Sequence, residues 1–422
     1  MKLFKKEYLP LILLAGAIAL SPSFAAGEIA GGRIIEIRIE DILIVILGLV
    51  WITSFLISGR AKVEKPPLLF PILAWLGIGF FSVLTNWIFM NIELSRGFFY
   101  FLKEVEFFFL YFYLFYHIRN LDTTKFTIKI WIFLGLINVG WVIYQIIKGL
   151  VPSGWGAYGP GAVGEAGPFP SGGFFLILFI FLFNILFFYY LNLNISKFKK
   201  GILTVVIISP SIGVFSSGSR ASFLGFILAL ILTFLFYSLK KGFLKSFLIG
   251  ILALIIISSF FIFFQQSTAE RFLNIEGILW NLNPENPVSR TSIWITQLTE
   301  ASKHPLFLFF GLGKSVFLTT EESHSQYVRN FIETGIIGSL VFFLLIFAII
   351  KKTFQGFSLG KDTFSIGLSA GLLVSTLVIL FVSIVNDAFI IVKVMEVYWF
   401  FTALTMATLS FKLGKSKERI FN

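Results

Sequence analysis

Apolar stretches of membrane-spanning length recur from one end of this chain to the other, and no other feature limits its fold as strongly. A helix needs roughly 17–25 mostly apolar residues to cross the hydrocarbon core of a bilayer. Such stretches lie near 8–26, 42–58, 67–90, 98–117, 127–147, 172–192, 202–217, 221–239, 243–264, 326–350, 364–384 and 388–410. Of the 422 residues 57% are hydrophobic and 13% charged, where a soluble domain carries about a quarter charged. Only the segment from 265 to 325 has room for structure outside the bilayer. The expected fold is an all-α polytopic membrane protein of about twelve transmembrane helices. A large, partly helical outer loop separates the ninth helix from the tenth. The chain then divides into 1–264 (helices one to nine), 265–325 (the loop with interfacial helices) and 326–422 (helices ten to twelve and a tail).

The formal charge of +12 is not gathered into one basic patch, so nucleic acid is not an expected partner. It lies in short clusters between apolar runs: "KLFKK", "GRAKVEK", Arg119 with Lys125 and Lys129, "KFKK", "KKGFLK", Lys351 with Lys352 and Lys361, and "KLGKSKER". Twelve spans put all of these, 22 of the 34 Lys and Arg, on the cytoplasmic side together with both termini. The start "MKLFKKEYLPLILLAGAIALSPSFAAGE" has the basic, apolar and small-residue order of a signal peptide. Its apolar run is near spanning length and reads as an uncleaved first helix.

That orientation leaves three features on the outer side. One is the Gly/Pro-rich loop 148–173, and another is the tight connection "SSGSR" at 216–220. The third is the long loop with the stretch "EESHSQYVRNFIETGIIG" that follows it. Arg220 stands alone between two apolar runs, with small neighbours. It either faces a cavity or partner, or snorkels to headgroups, and spacing does not decide between these. In the loop, 269–287 reads as an interfacial helix, and Arg290 opens an amphipathic helix ended by Pro305. Arg290 alone is compatible with an ordinary surface charge, and His304 with shaping the turn before that proline. "GLG" at 311–313 is weak evidence for phosphate binding. His324 caps the next helix on the outer aqueous side and titrates near neutrality, which suits either a structural or a proton-transferring role. Arg329 and Glu333 are spaced to pair at i,i+4. Lys103 with Glu106, and Lys393 with Glu396, are intramembrane pairs expected to satisfy one another. Asp387, before the last span, is placed to orient a base or an arginine. With no cysteine, no histidine pair at ligand spacing and no Asp-x-Asp, no metal or other cofactor is expected, and phosphate chemistry would have to rest on arginines.

Together the Ser-x-Ser-Arg turn, the Arg290-x-x-x-Trp294 pair, "HPLFLFFGLG" and "HSQYVRNFIETGIIG" resemble the O-antigen ligase and polymerase superfamily of bacterial envelopes. The residues carrying the resemblance are Ser217, Ser219 and Arg220; Arg290 and Trp294; His304, Pro305, Gly311 and Gly313; and His324, Tyr327, Glu333, Gly335 and Gly338. Ser325 departs from the pattern, since the family often has Asn after the histidine. The resemblance implies a membrane glycosyltransferase of the bacterial inner membrane with a periplasmic active site. It would transfer a glycan from undecaprenyl diphosphate to a hydroxyl of lipid A–core, without a metal and with inversion. Arg220 and Arg290 would hold the diphosphate and His324 would act on the acceptor proton. Ser217, Ser219, Tyr327, Arg329, Glu333 and Asp387 would support them. The alternatives are a polymerase that joins lipid-linked repeat units and, from another class, a lipid-linked sugar transporter.

Overall fold

The computed structural model describes residues 8–29, 33–58, 65–90, 94–151, 156–160, 168–242, 250, 283, 285, 289–303, 305–314 and 323–418. The expected ninth span at 243–264, the interfacial helix at 269–287 and His304 lie outside these residues, apart from a few isolated positions.

The chain opens with helix α1 (Leu9–Leu20), the hairpin β1 (Ser23–Ile29) and β2 (Arg33–Arg38), then α2 (Ile39–Ser58), α3 (Leu69–Met90), α4 (Leu94–His117) and α5 (Leu121–Ile147). There follow α6 (Pro168–Phe188), α7 (Lys197–Ile208), α8 (Pro210–Ser216) and α9 (Arg220–Lys241). Further along the chain come α10 (Arg290–Ser302), α11 (Pro305–Phe310), α12 (Gln326–Leu359), α13 (Thr363–Val382) and α14 (Val392–Glu418). Among the described residues, eight helical stretches are long and apolar enough to cross a membrane: those of α3, α5, α6, α7 joined to α8, α9, α12, α13 and α14.

The first segment differs from the expected span over 8–26. Its helix stops at Leu20, because Pro22 drives Ser21 into extended backbone (φ −74°, ψ 123°). The chain then turns back as an antiparallel hairpin, pairing Ser23 with Arg38 and Ile29 with Arg33. At about 1.5 Å per residue, the 12-residue α1 is too short to cross a bilayer alone.

Helix α6 is the axis of the bundle. Every side chain from Phe169 to Phe188 is buried, against α8, α9, α13 and α14. Lipid tails are as apolar as leucine, so helices here gain from close packing rather than from escape from water. Aromatic rings supply much of that contact, as where Phe181 stacks on Phe401 of α14 with centroids 4.2 Å apart. A short polar link, Asn184 Nδ2 to Thr233 Oγ1 at 3.1 Å, ties α6 to α9. At one end of the bundle Thr124 meets Thr408, and Lys240 reaches the Ser358 carbonyl. The other end gathers the hairpin, the turn before α9, the start of α12 and the connection from α13 to α14. Phe181→Ala should therefore cost about 3–5 kcal/mol of bundle stability, read as a lowered unfolding midpoint with membrane insertion unchanged.

Candidate functional site

The "SSGSR" turn is built by its own hydroxyls. Ser219 is the N-cap of α9 and accepts the Ser222 backbone N–H at 3.2 Å, while Ser217 Oγ donates to the Val214 carbonyl at 2.7 Å. Gly218, in left-handed backbone at φ 68°, closes the turn. Both serines are buried, and their hydroxyls shape the turn that aims Arg220 out of the first position of α9. The Gly/Pro loop lies against the same turn, with the Ala157 N–H donating to the Ser216 carbonyl at 2.7 Å.

Arg290 begins α10 behind the N-cap Ser289, whose hydroxyl accepts the Ser292 N–H at 3.1 Å. Its Nη1 donates to the Val385 carbonyl at 2.6 Å, which fastens the loop helix to the connection between α13 and α14. Burial pushes its pKa below the ordinary value; Asp387 works against that and the Arg220 cation adds to it. The two arginines thus lie within electrostatic reach of each other, and Asp387 lies within reach of Arg290.

His324 takes a left-handed backbone conformation, φ 50°, the only non-glycine to do so among the described residues. Such a conformation costs about 1–3 kcal/mol and persists only where its surroundings enforce it. They do so here. Trp294 Nε1 donates to the Ser323 carbonyl at 2.5 Å, Ser323 Oγ donates to Asp387 Oδ1 at 3.1 Å, and the Gln326 N–H donates to the Ser383 carbonyl at 3.0 Å. The N-cap position of α12 belongs to Ser325 and not to His324, and the backbone bond from Gln326 replaces a side-chain cap. The imidazole is therefore released to solvent, and it is exposed. Tyr327 faces the bundle, its hydroxyl donating to the Leu380 carbonyl at 2.6 Å.

Beneath the turn runs a buried line of alternating charge. Arg329 pairs with Glu333 at 2.9 Å, as i,i+4 spacing predicts, and also reaches Asp387 at 3.3 Å. Lys314 joins Glu333 at 3.5 Å to Glu104 of α4 at 2.7 Å. Burial lowers the affinity of Lys314 for its proton, but Glu104 and Glu333 more than offset this and hold its pKa above the usual value. Lys314 and Glu104 escaped sequence reasoning. The available signal was an acid in the middle of an apolar helix and a lysine directly after a glycine pair.

That pair serves packing. Gly311 (φ 79°) and Gly335 (φ 66°) lie where the segment after α11 crosses α12 backbone to backbone, with the Leu312 N–H bonded to the Ile332 carbonyl at 2.7 Å and the Gly313 N–H to the Glu333 carbonyl at 3.1 Å. A Cβ on Gly335 would run into the Phe309 peptide, and one on Gly311 into the Glu333 peptide. Gly335 also breaks the helical path of α12 (ψ −166°). The intramembrane pairs form as well, Lys103–Glu106 at 3.2 Å and Lys393–Glu396 at 3.8 Å, but both lysines have closer partners on α2, Asp41 at 2.7 Å and Glu40.

Residues 203–343 match the family model described as O-antigen ligase. This stretch, a third of the chain, supports the likeness to the O-antigen ligase and polymerase superfamily. The match takes in the serine turn, both arginines, His324, Tyr327, Arg329 and Glu333, and stops short of Asp387. No curated protein matches the chain.

The site thus combines two neighbouring cations, an exposed imidazole on a strained turn, and a carboxylate, Asp387, that holds the Ser323 hydroxyl beside that turn and lies within reach of Arg290. Gly335→Ala should lower the unfolding midpoint markedly, since both its φ and the Phe309 contact forbid a side chain. Gly140→Ala, at an ordinary helical position of α5 where an added Cβ meets open space, should not. Comparing the two by thermal unfolding in detergent checks the crossing.

Proposed function

We propose that the protein is an O-antigen ligase. It would transfer a glycan from undecaprenyl diphosphate to a hydroxyl of lipid A–core, at the periplasmic face of the bacterial inner membrane. The observation that carries this reading is the neighbouring arginine pair on separate elements, Arg220 at the start of α9 and Arg290 at the start of α10. Like charges held close repel one another, and an anion between them converts that repulsion into binding. A diphosphate with oxygens on two phosphorus atoms suits two guanidinium forks.

The chemistry follows from these placements. The acceptor oxygen attacks the anomeric carbon from the face opposite the diphosphate, the carbon–oxygen bond to the carrier breaks, and configuration inverts. Negative charge grows on the departing diphosphate, where Arg220 and Arg290 stabilise it as fixed cations away from bulk water. His324 accepts the proton of the acceptor hydroxyl; its exposed position lets a bulky acceptor approach from the aqueous side. The outer end of the bundle is where a prenyl chain in the bilayer and a periplasmic acceptor meet.

Joining lipid-linked repeat units is the second reading, favoured by one observation. The Gly/Pro loop packs on the serine turn through Ala157 and Ser216, so a second outer segment contributes to the arginine site.

The test is expression in a host that lacks its own ligase yet makes polymerised lipid-linked O-antigen. A ladder on lipid A–core is expected from the wild type, and none from Arg220→Ala or Arg290→Ala at equal membrane abundance. For His324→Ala a fall in turnover of about 10²-fold or more is expected. A normal ladder from Arg220→Ala would remove the diphosphate role. A ladder appearing only in a polymerase-deficient host would favour the second reading.

A further inference from the structure

The charges around Lys103 and Lys393 form a separate cluster that glycan transfer does not use. Arg38 comes from the end of β2, Glu40 and Asp41 from the start of α2, Lys103 and Glu106 from α4, and Lys393 and Glu396 from α14. Four carboxylates face three bases, so one negative charge is in excess. Helices α1, α6 and α13, also packed on α14, bring no charged residue. Those near the start of α5 lie at the opposite end, and Arg329 and Glu333 of α12 pair with each other.

The carboxylate oxygens divide into two sets. Asp41 Oδ2 takes Lys103 at 2.7 Å and the Arg38 N–H at 3.0 Å, Glu106 Oε2 takes Lys103 at 3.2 Å, and Glu40 Oε1 takes Lys393. The remaining oxygens of Asp41, Glu106 and Glu40, and both oxygens of Glu396, are buried and accept no hydrogen bond among the described residues. Glu396 is 0% exposed, and Lys393 Nζ stands 3.8 Å away, beyond hydrogen-bond range. One oxygen from each of Asp41, Glu106 and Glu396 lies within 4.8 Å of the other two.

Buried acceptors gathered without donors need a positive partner. A proton supplies a single donor and leaves most of these oxygens unpaired. A hard cation with several oxygen ligands serves them together. Oxygens within 4.8 Å of one another are close enough for one ion of calcium or sodium size, with bonds of about 2.4 Å, to touch all three. Charge then decides: one monovalent ion neutralises the cluster, whereas a divalent ion would overshoot it. We infer that Asp41, Glu106 and Glu396 bind one sodium ion, which clamps α2, α4 and α14 together beside the arginine site. The ion acts through packing and takes no part in glycan transfer.

The test is thermal unfolding of the purified full chain, with sodium chloride replacing choline chloride at constant ionic strength. The midpoint should rise by about 2 °C or more for each tenfold increase in sodium above the dissociation constant. Radioactive sodium should bind at one ion per chain. Glu396→Gln should lose both responses and, having shed the surplus charge, unfold in choline no lower than wild type does. Should that variant fail to fold, Glu106→Gln is expected to show the same pattern. A midpoint indifferent to sodium, a variant that keeps the response, or full replacement of sodium by calcium or by acid would each overturn the inference. None of these readouts depends on the transferase activity.

Discussion

Glu333 registers the end of this bundle that carries the serine turn and His324. Its carboxylate binds Arg329 on its own helix and Lys314 on the incoming segment, and its carbonyl accepts both the Gly313 N–H and the Ser82 hydroxyl of α3 at 2.5 Å. A charge sunk this deep is tolerated only when fully partnered. Those partners come from α3, α12 and the segment after α11, so the requirements of one residue fix how three parts of the chain meet, and Lys314 extends the line to Glu104 of α4. The crossing at Gly311 and Gly335 follows from it, because only backbones without side chains approach closely enough to make those bonds. Asp387 continues the line outward and carries the register to the turn that bears His324.

Much of this was legible in the sequence, for reasons that differ by residue. Spans such as α6 and α13 announce themselves because hydrocarbon admits few alternatives to a long apolar helix. The Arg329–Glu333 pair is local, and i,i+4 spacing alone reveals it. The serine turn and the paired arginines could be grouped only through a resemblance that keeps them in order along the chain. The Arg290 bond to a carbonyl 95 residues away has no sequence signature at all. The hairpin after α1 was hidden because its apolar residues extend the run of the helix, and only Pro22 marks where that helix must end. Helical spacing pairs Lys103 and Lys393 with their neighbours Glu106 and Glu396. Their nearest partners proved to be acids on α2, a helix that looks like nothing more than a span from its composition.

The same physics gives the supporting residues their roles. Ser217, Ser219 and Tyr327 spend their hydroxyls on backbone carbonyls and helix ends, as polar side chains at the margin of a bilayer must when water is scarce. Their work is to hold direction, and Arg220 and the start of α12 inherit it. The hydroxyls that shape the site are thus satisfied internally, and among the described residues His324 is the one non-glycine held in left-handed backbone.

The anchor of Arg290 has a bearing on how the site behaves as conditions change. Its fixed partner is the main-chain oxygen of Val385 rather than a carboxylate. A peptide carbonyl neither gains nor loses a proton, so the bond that aims the guanidinium does not itself change with acidity. The direction of Arg290 is thereby written into the fold of the connection between α13 and α14, so whatever that guanidinium meets, it meets from a heading that the main chain sets.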